Sequence, residues 1–380
     1  MKIEYLFSSD RGDIPVEKEM LHRPFIVSPM EKHHFLTLGD FFSGIRGFFI
    51  CDNGTPLKDL IMKRRGENVS LEKIGKIVIR YEKYGVFYHI LSIEVESDSF
   101  IEKFAMSAAQ LPEAKKTLEK EYKLFTHLNQ KFNPPYIQQV YRKANIKITR
   151  DNNIETFLIM LSNWFEGYHE WHFTGKQDNA ESAIIWDMEK GYHSISQKEI
   201  TKIILEASKV LTLYYDSGTF HRIYPWHHGA GDFIIRLKKE DTDVRLISVR
   251  GYEPINQLLS DKNLSPIDAI IFFLIEMSIK MRVDKYEGMG DPVWAGDFIL
   301  SSILEGFNEG LRLKEAKGDF PGLSTKGVIG HLNSISIKDL KSMFFSYLDV
   351  YRKTDPVDFG FIDSHSKKHI ADLYHVIQSL

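Results

Sequence analysis

The sequence contains a single cysteine, Cys51, among 380 residues, and this scarcity excludes two classes of structure. One cysteine cannot form a disulfide within the chain, so the disulfide scaffold typical of small secreted proteins is excluded. A Cys-X-X-Cys metal site is excluded for the same reason. We interpret Cys51 as a buried structural thiol, a common environment for an unpaired cysteine.

Long apolar runs are also missing. The most apolar stretch, Ala269 to Ile275, is followed at once by Glu276 and is too short to span a bilayer. Residues 1–13 carry charged side chains and no long apolar core, so we expect no signal peptide. The formal net charge of −3 gives no basic surface for nucleic acid. We therefore expect a cytoplasmic protein that binds neither membranes nor nucleic acids.

The first half of the chain is rich in strand patterns. Apolar and polar residues alternate through the segment KIVIRYEKYGVFYHILSIEV, residues 76–95, which predicts a β-hairpin with its turn at residues 82–85. A third strand is expected from Phe100 to Ala108, and a helix from Pro112 to Asn129. Two more strands are expected at 136–141 and 156–161. The order is strand, strand, strand, helix, strand, strand.

Beyond Trp164 we expect mainly helices. Ser196 and Glu199 have the spacing of a capping box, and apolar residues at helical spacing follow them as far as Tyr214. A hairpin formed by FIIRL and VRLISV comes next. Further helices are predicted at 265–281, 297–311, 336–351 and 369–380. A β-rich first half and a helical second half indicate the α+β class.

This element order resembles that of the kinase-like superfamily, which includes protein kinases and aminoglycoside phosphotransferases. The resemblance extends from Ile77 to Leu311 and implies a two-lobed fold. Residues 71–163 would form the small β-rich lobe, and residues 164–380 the helical lobe with its catalytic loop and hairpin. Residues 1–70 would be an extension packed on the small lobe.

Residues of the small lobe carry the first part of the resemblance. Lys103, in FIEKFAM, is similar to the strand lysine that holds nucleotide phosphates and pairs with a glutamate of the next helix, here Glu121. The segment LIMLSNWFEGYHEW is similar to the strand that ends at the hinge between the lobes. The resemblance implies that Met160 guards an adenine pocket and that backbone groups at Ser162 and Asn163 face the adenine edge.

The segment HRIYPWHHGAGDFIIR occupies the place of the catalytic loop. Kinases carry H-R-D-X-X-X-X-N there, followed by an apolar strand and D-F-G. Aligning Asp232 with the asparagine, which binds metal, places His227 at the catalytic base and Ser248 at the metal-binding aspartate. Aligning the His-Arg pair instead places Ile223 at the base. Neither alignment restores both carboxylates.

Phosphoryl transfer requires positioning and charge neutralisation, and Mg²⁺ requires oxygen ligands such as carboxylates. With Asp232 as the one remaining carboxylate, the sequence favours a pseudokinase-like module. Such a module would bind ATP, another small ligand or a protein partner without efficient transfer, and the missing carboxylates argue against a Mg²⁺ ion held in the usual way.

Other interpretations stay open. Asp291 or Asp297 would complete the site of an active, atypical phosphotransferase together with Asp232, or the chain is an unrelated α+β enzyme or scaffold. His169 and His172 would need further convergent ligands to hold zinc, and their aromatic neighbours favour packing. Two arginines of the hairpin region, Arg245 and Arg250, would either meet phosphates or pair with Asp241 and Asp243, and the sequence favours the pairing.

Overall fold

The structure is a computed structural model, and it describes residues 1–9, 12–28, 31–85, 87–187, 190–227, 231–238, 241–255, 264–288, 290–354 and 356–379. About 45% of the chain is helix and 32% is strand, so the predicted α+β class is confirmed. Among the described residues, no helix is long and apolar enough to cross a membrane.

Contacts within the chain divide it into two compact units, each discontinuous in sequence. The first comprises Met1–Gln130, Gln138–Glu166 and Met188–Gly191, and the second comprises Lys131–Ile137, Gly167–Asp187 and Tyr192–Leu380. The boundary at Glu166 lies close to the one expected between residues 163 and 164.

The first unit is built on a large mixed sheet. Its elements are β1 (Lys2–Phe7), β2 (Ile14–Pro15), α1 (Lys18–Leu21), β3 (Pro24–Ser28), β4 (Glu31–Thr37), α2 (Leu38–Arg65), β5 (Ile74–Tyr84), β6 (His89–Ser97), β7 (Ile101–Ala109), α3 (Pro112–Lys131), β8 (Val140–Arg150) and β9 (Asn153–Asn163). The strand order in the sheet is β2-β1-β5-β6-β7-β9-β8. Strand β1 is parallel to β5, and the neighbouring pairs from β5 to β8 are antiparallel.

One face of this sheet packs against α2. The alternating residues Ile77, Ile79, Leu91 and Ile93 are buried there, in one cluster with phenylalanines of α2 such as Phe42. Residues 1–70 therefore supply β1 and β2 to the large sheet and α2 to one of its faces. The helical spacing of apolar residues in α2 could not be recognised in the sequence, because the helix is interrupted.

The interruption of α2 lies at residues 51–54. Asp52, Asn53 and Gly54 all have positive φ angles of 50°, 56° and 72°, which end one helical segment before the next begins. Cys51, expected to be buried, is exposed at this break. Cys51 is exposed because the backbone leaves the helical conformation at this residue.

The second unit contains a smaller sheet and most of the helices. Its elements are β10 (His169–Lys176), β11 (Asn179–Trp186), β12 (His193–Ile195), α4 (Gln197–Leu213), β13 (His221–Ile223), β14 (Phe233–Leu237), β15 (Thr242–Leu246), β16 (Tyr252–Pro254), α5 (Pro266–Lys280), β17 (Val283–Lys285), β18 (Pro292–Trp294), α6 (Leu300–Ala316), α7 (Thr325–Ser334), α8 (Ile337–Thr354) and α9 (Pro356–Ile377). The antiparallel sheet has the order β12-β11-β10-β14-β15.

The strands β10 to β12 correct the expectation that helices follow Trp164. In β10 the consecutive residues Trp171, His172 and Phe173 are all buried, so both faces of the strand are covered. A strand covered on both faces shows no alternation of apolar and polar residues, and this pattern was the basis of the prediction.

The strand predicted at 136–141 begins later, at Val140. The preceding residues contact β15 instead, because the carbonyl of Tyr136 accepts a hydrogen bond from Leu246 N–H at 2.9 Å. Ile137 forms a parallel bridge with the same residue, Leu246. The prediction is therefore correct only for Val140 and Tyr141, and the partner of residues 136–137 was not predictable from the local sequence.

Helix α4 begins as predicted. Ser196 N–H donates to the Glu199 carboxylate at 2.8 Å, and Glu199 N–H donates to the Ser196 hydroxyl at 3.3 Å, which completes the capping box. α4 packs closely against α6 because α6 carries glycines at the contact. A Cβ atom at Gly306 would lie 2.1 Å from the carbonyl oxygen of Leu205, and one at Gly310 would lie 2.7 Å from Cβ of Thr212.

A buried ion pair joins β13 to α5. Two guanidinium nitrogens of Arg222 donate to the carboxylate of Glu276 at 3.1 and 2.6 Å, and both side chains are 1% exposed. A third nitrogen of Arg222 donates to the carbonyl of Glu253, and the Tyr347 hydroxyl donates to Glu276. Burial alone would lower the pKa of Arg222, but Glu276 outweighs it and raises the pKa.

Arg222→Met should lower the free energy of unfolding by about 3–5 kcal/mol, because it leaves the Glu276 carboxylate buried without its cation. The double variant Arg222→Met/Glu276→Leu should recover most of this loss, since apolar groups then replace the whole pair. Urea unfolding followed by circular dichroism measures both. Additive losses in the double variant would contradict the prediction.

Candidate functional site

Lys103 lies near the start of β7 beside the end of β9. Its ammonium group is 4.6 Å from the centre of the Trp164 ring and 3.9 Å from the carboxylate of Glu166. The side chain is 20% exposed, whereas that of Glu166 is 70% exposed. The ammonium therefore contacts one aromatic ring and one solvent-exposed carboxylate.

Glu121 is buried in α3, as its position beside the apolar stripe predicted, and it is 4% exposed. Its carboxylate accepts a hydrogen bond from the Tyr88 hydroxyl at 2.8 Å. Tyr88 immediately precedes His89, which is opposite Ala108 in the sheet. Glu121 therefore lies near the end of β7, and residues 103 and 108 are separated by roughly 16 Å of extended strand. The structure does not bring Lys103 and Glu121 together.

The three residues proposed for an adenine pocket lie at the end of β9. Met160 is 3% exposed, and Ser162 is 2% exposed between β7 and β8. Asn163 N–H donates to the carbonyl of Gln139 at 3.1 Å, and the Asn163 side chain accepts from Gln139 N–H at 2.7 Å. The backbone N–H of Asn163 is therefore already hydrogen-bonded, and Trp164 is the first residue after β9.

A shallow hollow of about 330 Å³ surrounds Lys103. Its lining residues are charged or large, and they are Arg64, Glu94, Ile101, Glu102, Lys103, Trp164 and Glu166. Three carboxylates against two cations make the hollow unfavourable for nucleotide phosphates. Arg64 also donates to the Glu102 carboxylate at 3.2 Å, which engages one of those cations.

Asp232 organises the loop in the second unit. It is 1% exposed, and one carboxylate oxygen accepts from His227 N–H at 2.7 Å and from the Arg250 guanidinium at 2.6 Å. The backbone carbonyl of Asp232 accepts from Ile247 N–H at 2.8 Å. Because Ser248 follows Ile247, the structure places His227, Asp232 and Ser248 in one neighbourhood.

The side chain of His227 faces α9. Its Nε2 atom lies 3.9 Å from the carboxylate of Asp358, and the side chain is 18% exposed. Its contact with Asp232 is made by the backbone N–H and not by the imidazole. The adjacent His228 and the glycine-rich residues 229–230 lie outside the described residues.

The alternative alignment of the loop uses His221, Arg222 and Ile223, whose side chains contact other residues of the fold. The His221 imidazole is 2.9 Å from the Thr219 hydroxyl, and burial lowers the pKa of His221. Arg222 is held by Glu276, and Ile223 is 1% exposed and has no titratable group. The residue that this alignment places at the catalytic base, Ile223, therefore cannot accept a proton.

No group of three or more histidine, cysteine or acidic residues suited to a metal occurs in the described part of the chain. Asp291 and Asp297 therefore do not join Asp232 in a cluster, and Asp297 lies 3.4 Å from the ammonium of Lys368. His169 and His172 face opposite sides of β10, because three positions separate them on a strand. They meet different carboxylates, Asp187 at 3.7 Å and Asp284 at 3.6 Å.

Arg250 is the residue whose role the sequence did not indicate. It was expected to pair with an aspartate of the hairpin turn, as Arg245 does with Asp243 at 2.8 Å. Arg250 instead pairs with Asp232, the residue that the resemblance assigns to the metal.

Comparisons with known proteins do not assign the chain to a family. No protein-family model matches the chain. A search of curated proteins also found no significant match. The kinase-like interpretation therefore depends on the order of elements and on the residues described above.

A double-mutant cycle tests the separation of Lys103 and Glu121. Lys103→Ala should cost less than about 1 kcal/mol of unfolding free energy, because its partner carboxylate is exposed. Glu121→Gln should cost about 1–3 kcal/mol, because a buried acceptor loses its charge. The coupling energy should be under about 0.5 kcal/mol. Coupling of several kcal/mol in chemical unfolding would show that the two side chains form a buried pair.

Proposed function

We propose that the protein is a pseudokinase-like module, which acts by binding a ligand or partner rather than by transferring a phosphoryl group. The observation that carries this proposal is the contact between Asp232 and Arg250 at 2.6 Å. Asp232 is the one carboxylate that the loop retains at a position where kinases bind metal, and a guanidinium already neutralises it.

A Mg²⁺ ion at Asp232 would have to displace Arg250 or bind beside it. Displacement would leave a guanidinium that is 23% exposed without its anion, and binding alongside would place two cations next to each other. Ser248 would contribute a neutral hydroxyl and no compensating charge. The charges around the loop therefore oppose the metal that phosphoryl transfer requires.

The first unit supports the same proposal. Lys103 is engaged with Trp164 and Glu166, and the hollow around it has an excess of carboxylates. A lysine in that environment is poorly placed to hold the phosphates of ATP. Any adenine nucleotide should therefore bind weakly and without help from Mg²⁺.

The order of elements supports the kinase-like part of the proposal. Strands β5, β6 and β7 are followed by α3 and then by β8 and β9, which complete the same sheet. In the second unit, α4 leads to the Asp232 loop, the hairpin of β14 and β15, and then the apolar helix α5. This is the order of elements on which the resemblance rests.

An active, atypical phosphotransferase is the second function considered. It requires other carboxylates to converge with Asp232, and no such cluster exists among the residues that the structure describes. No specific observation therefore favours this alternative.

Thermal-shift titration with ATP tests the role of Arg250. In the unaltered protein, any stabilisation by ATP should be the same with and without Mg²⁺, and labelled ATP should yield no phosphorylated product. Arg250→Gln should lower the free energy of unfolding by about 3 kcal/mol, because Asp232 loses its cation. The variant should also gain Mg²⁺-dependent stabilisation by ATP.

The matched control is Arg245→Gln, which removes an arginine of the same hairpin that pairs with Asp243 instead. This control should not gain a Mg²⁺ response. Mg²⁺-dependent stabilisation of the unaltered protein, or a transfer activity that Asp232→Asn abolishes, would rule the proposal out.

A further inference from the structure

The lining residues of a second concave site all belong to the second unit, and the residues compared with a kinase site above are not among them. Its volume is about 350 Å³. Its lining residues come from the end of β11, the segment before β12 and the turn between β17 and β18, and they are Ile184, Trp186, Tyr192, Tyr286, Glu287 and Gly290. We call this site the aromatic pocket.

The aromatic rings of this pocket are unusually accessible. Tyr192 is 57% exposed and Tyr286 is 39% exposed, although large aromatic side chains are mostly buried in folded proteins. The rings of Trp186 and Tyr192 are stacked, with their centres 5.7 Å apart and their planes at 14°. The Trp186 and Tyr192 rings therefore pack against each other, while much of the Tyr192 side chain stays in contact with solvent.

The turn that carries Glu287 has a strained backbone. Glu287 has φ 47° and ψ 34°, in the left-handed region that residues other than glycine rarely occupy, and Gly288 follows with φ 78°. Such strain persists where the surroundings hold it in place, and it is concentrated at functional sites. The Thr174 hydroxyl donates to the Glu287 carboxylate at 3.3 Å, which orients that carboxylate.

His172 fixes the two walls of the pocket relative to each other. Its ring lies 4.6 Å from the Trp186 ring, and a Cβ atom at Gly288 would lie 2.7 Å from its Nε2 atom. The absence of a side chain at position 288 therefore allows the turn to approach His172 closely. Because His172 is 2% exposed, this support lies beneath the pocket and not in it.

The lining of the pocket has the chemistry of a cation site. The faces of tryptophan and tyrosine rings attract cations through their quadrupoles, and aromatic groups of this kind recognise quaternary ammonium ligands. Glu287 adds a negative charge, whereas none of the lining residues that the structure describes is lysine or arginine. An anionic ligand would find no counter-charge in this set.

We propose that the aromatic pocket binds a small organic cation with a methylated ammonium group. The ammonium group contacts the rings of Trp186, Tyr192 and Tyr286, and Glu287 supplies the counter-charge. The proposal goes beyond the pseudokinase-like function and does not rest on it, since the pocket shares no residue with the Asp232 loop.

Isothermal titration calorimetry with choline tests this proposal on the full-length chain. The comparison ligand is dimethylbutanol, the uncharged analogue in which carbon replaces the ammonium nitrogen. Choline should bind at least about tenfold more tightly than dimethylbutanol, because both have the same shape and only choline attracts the rings and the carboxylate. This comparison requires no variant and is therefore independent of effects on folding.

Variants locate the binding in the pocket. Tyr286→Leu and Glu287→Gln should each weaken choline binding about fivefold, and neither should change the affinity for dimethylbutanol by as much. Matched controls elsewhere in the second unit are Tyr374→Leu on α9 and Glu305→Gln on α6, which should leave choline binding unchanged. Circular dichroism confirms that each variant is folded.

Three results would overturn the proposal. Choline could fail to bind the folded protein, dimethylbutanol could bind equally well, or the control variants could weaken binding as much as the pocket variants. Weak binding of ATP or a lack of phosphoryl transfer would not affect it, so failure of this proposal and failure of the proposed function are distinguishable.

Discussion

The buried carboxylate of Asp232 is the constraint on which the arrangement of the loop depends. It accepts hydrogen bonds from His227 N–H and Arg250, and its own backbone carbonyl accepts one from Ile247. A buried carboxylate is stable only with such partners. Both of these side-chain hydrogen bonds reach the same oxygen, Oδ2, so one oxygen of the Asp232 carboxylate joins the two ends of the loop.

Parts of the fold could be predicted because their signals are local. The pairing of β5 with β6 follows from alternation, but β5 extends to Tyr84, so the connection lies after most of the predicted turn at 82–85. The start of α4 follows from Ser196 and Glu199, which meet each other within one helical turn. Strand β10 lacked such a signal because both of its faces are buried. The partner of residues 136–137 was also hidden, since it depends on β15, which is remote in sequence.

The candidate site shows the same limit. The helical position of Glu121 correctly predicted burial, but the residue that it meets depends on how α3 lies along the sheet, and it meets Tyr88 instead of Lys103. His227 and Asp232 are close in sequence, whereas Ser248 is brought near them by the hairpin of β14 and β15. The partner of Arg250 was not predictable, because a long arginine side chain has several carboxylates within reach and tertiary packing chooses among them.

The glycines of α6 have a consequence for motion. At Gly306 and Gly310 the helix approaches α4 so closely that even one added methyl group would collide with it. Two surfaces in such contact cannot slide past each other without a clash, and close-packed interiors respond to stress as stiff bodies. We therefore expect helices α4 and α6 to move together as one rigid body.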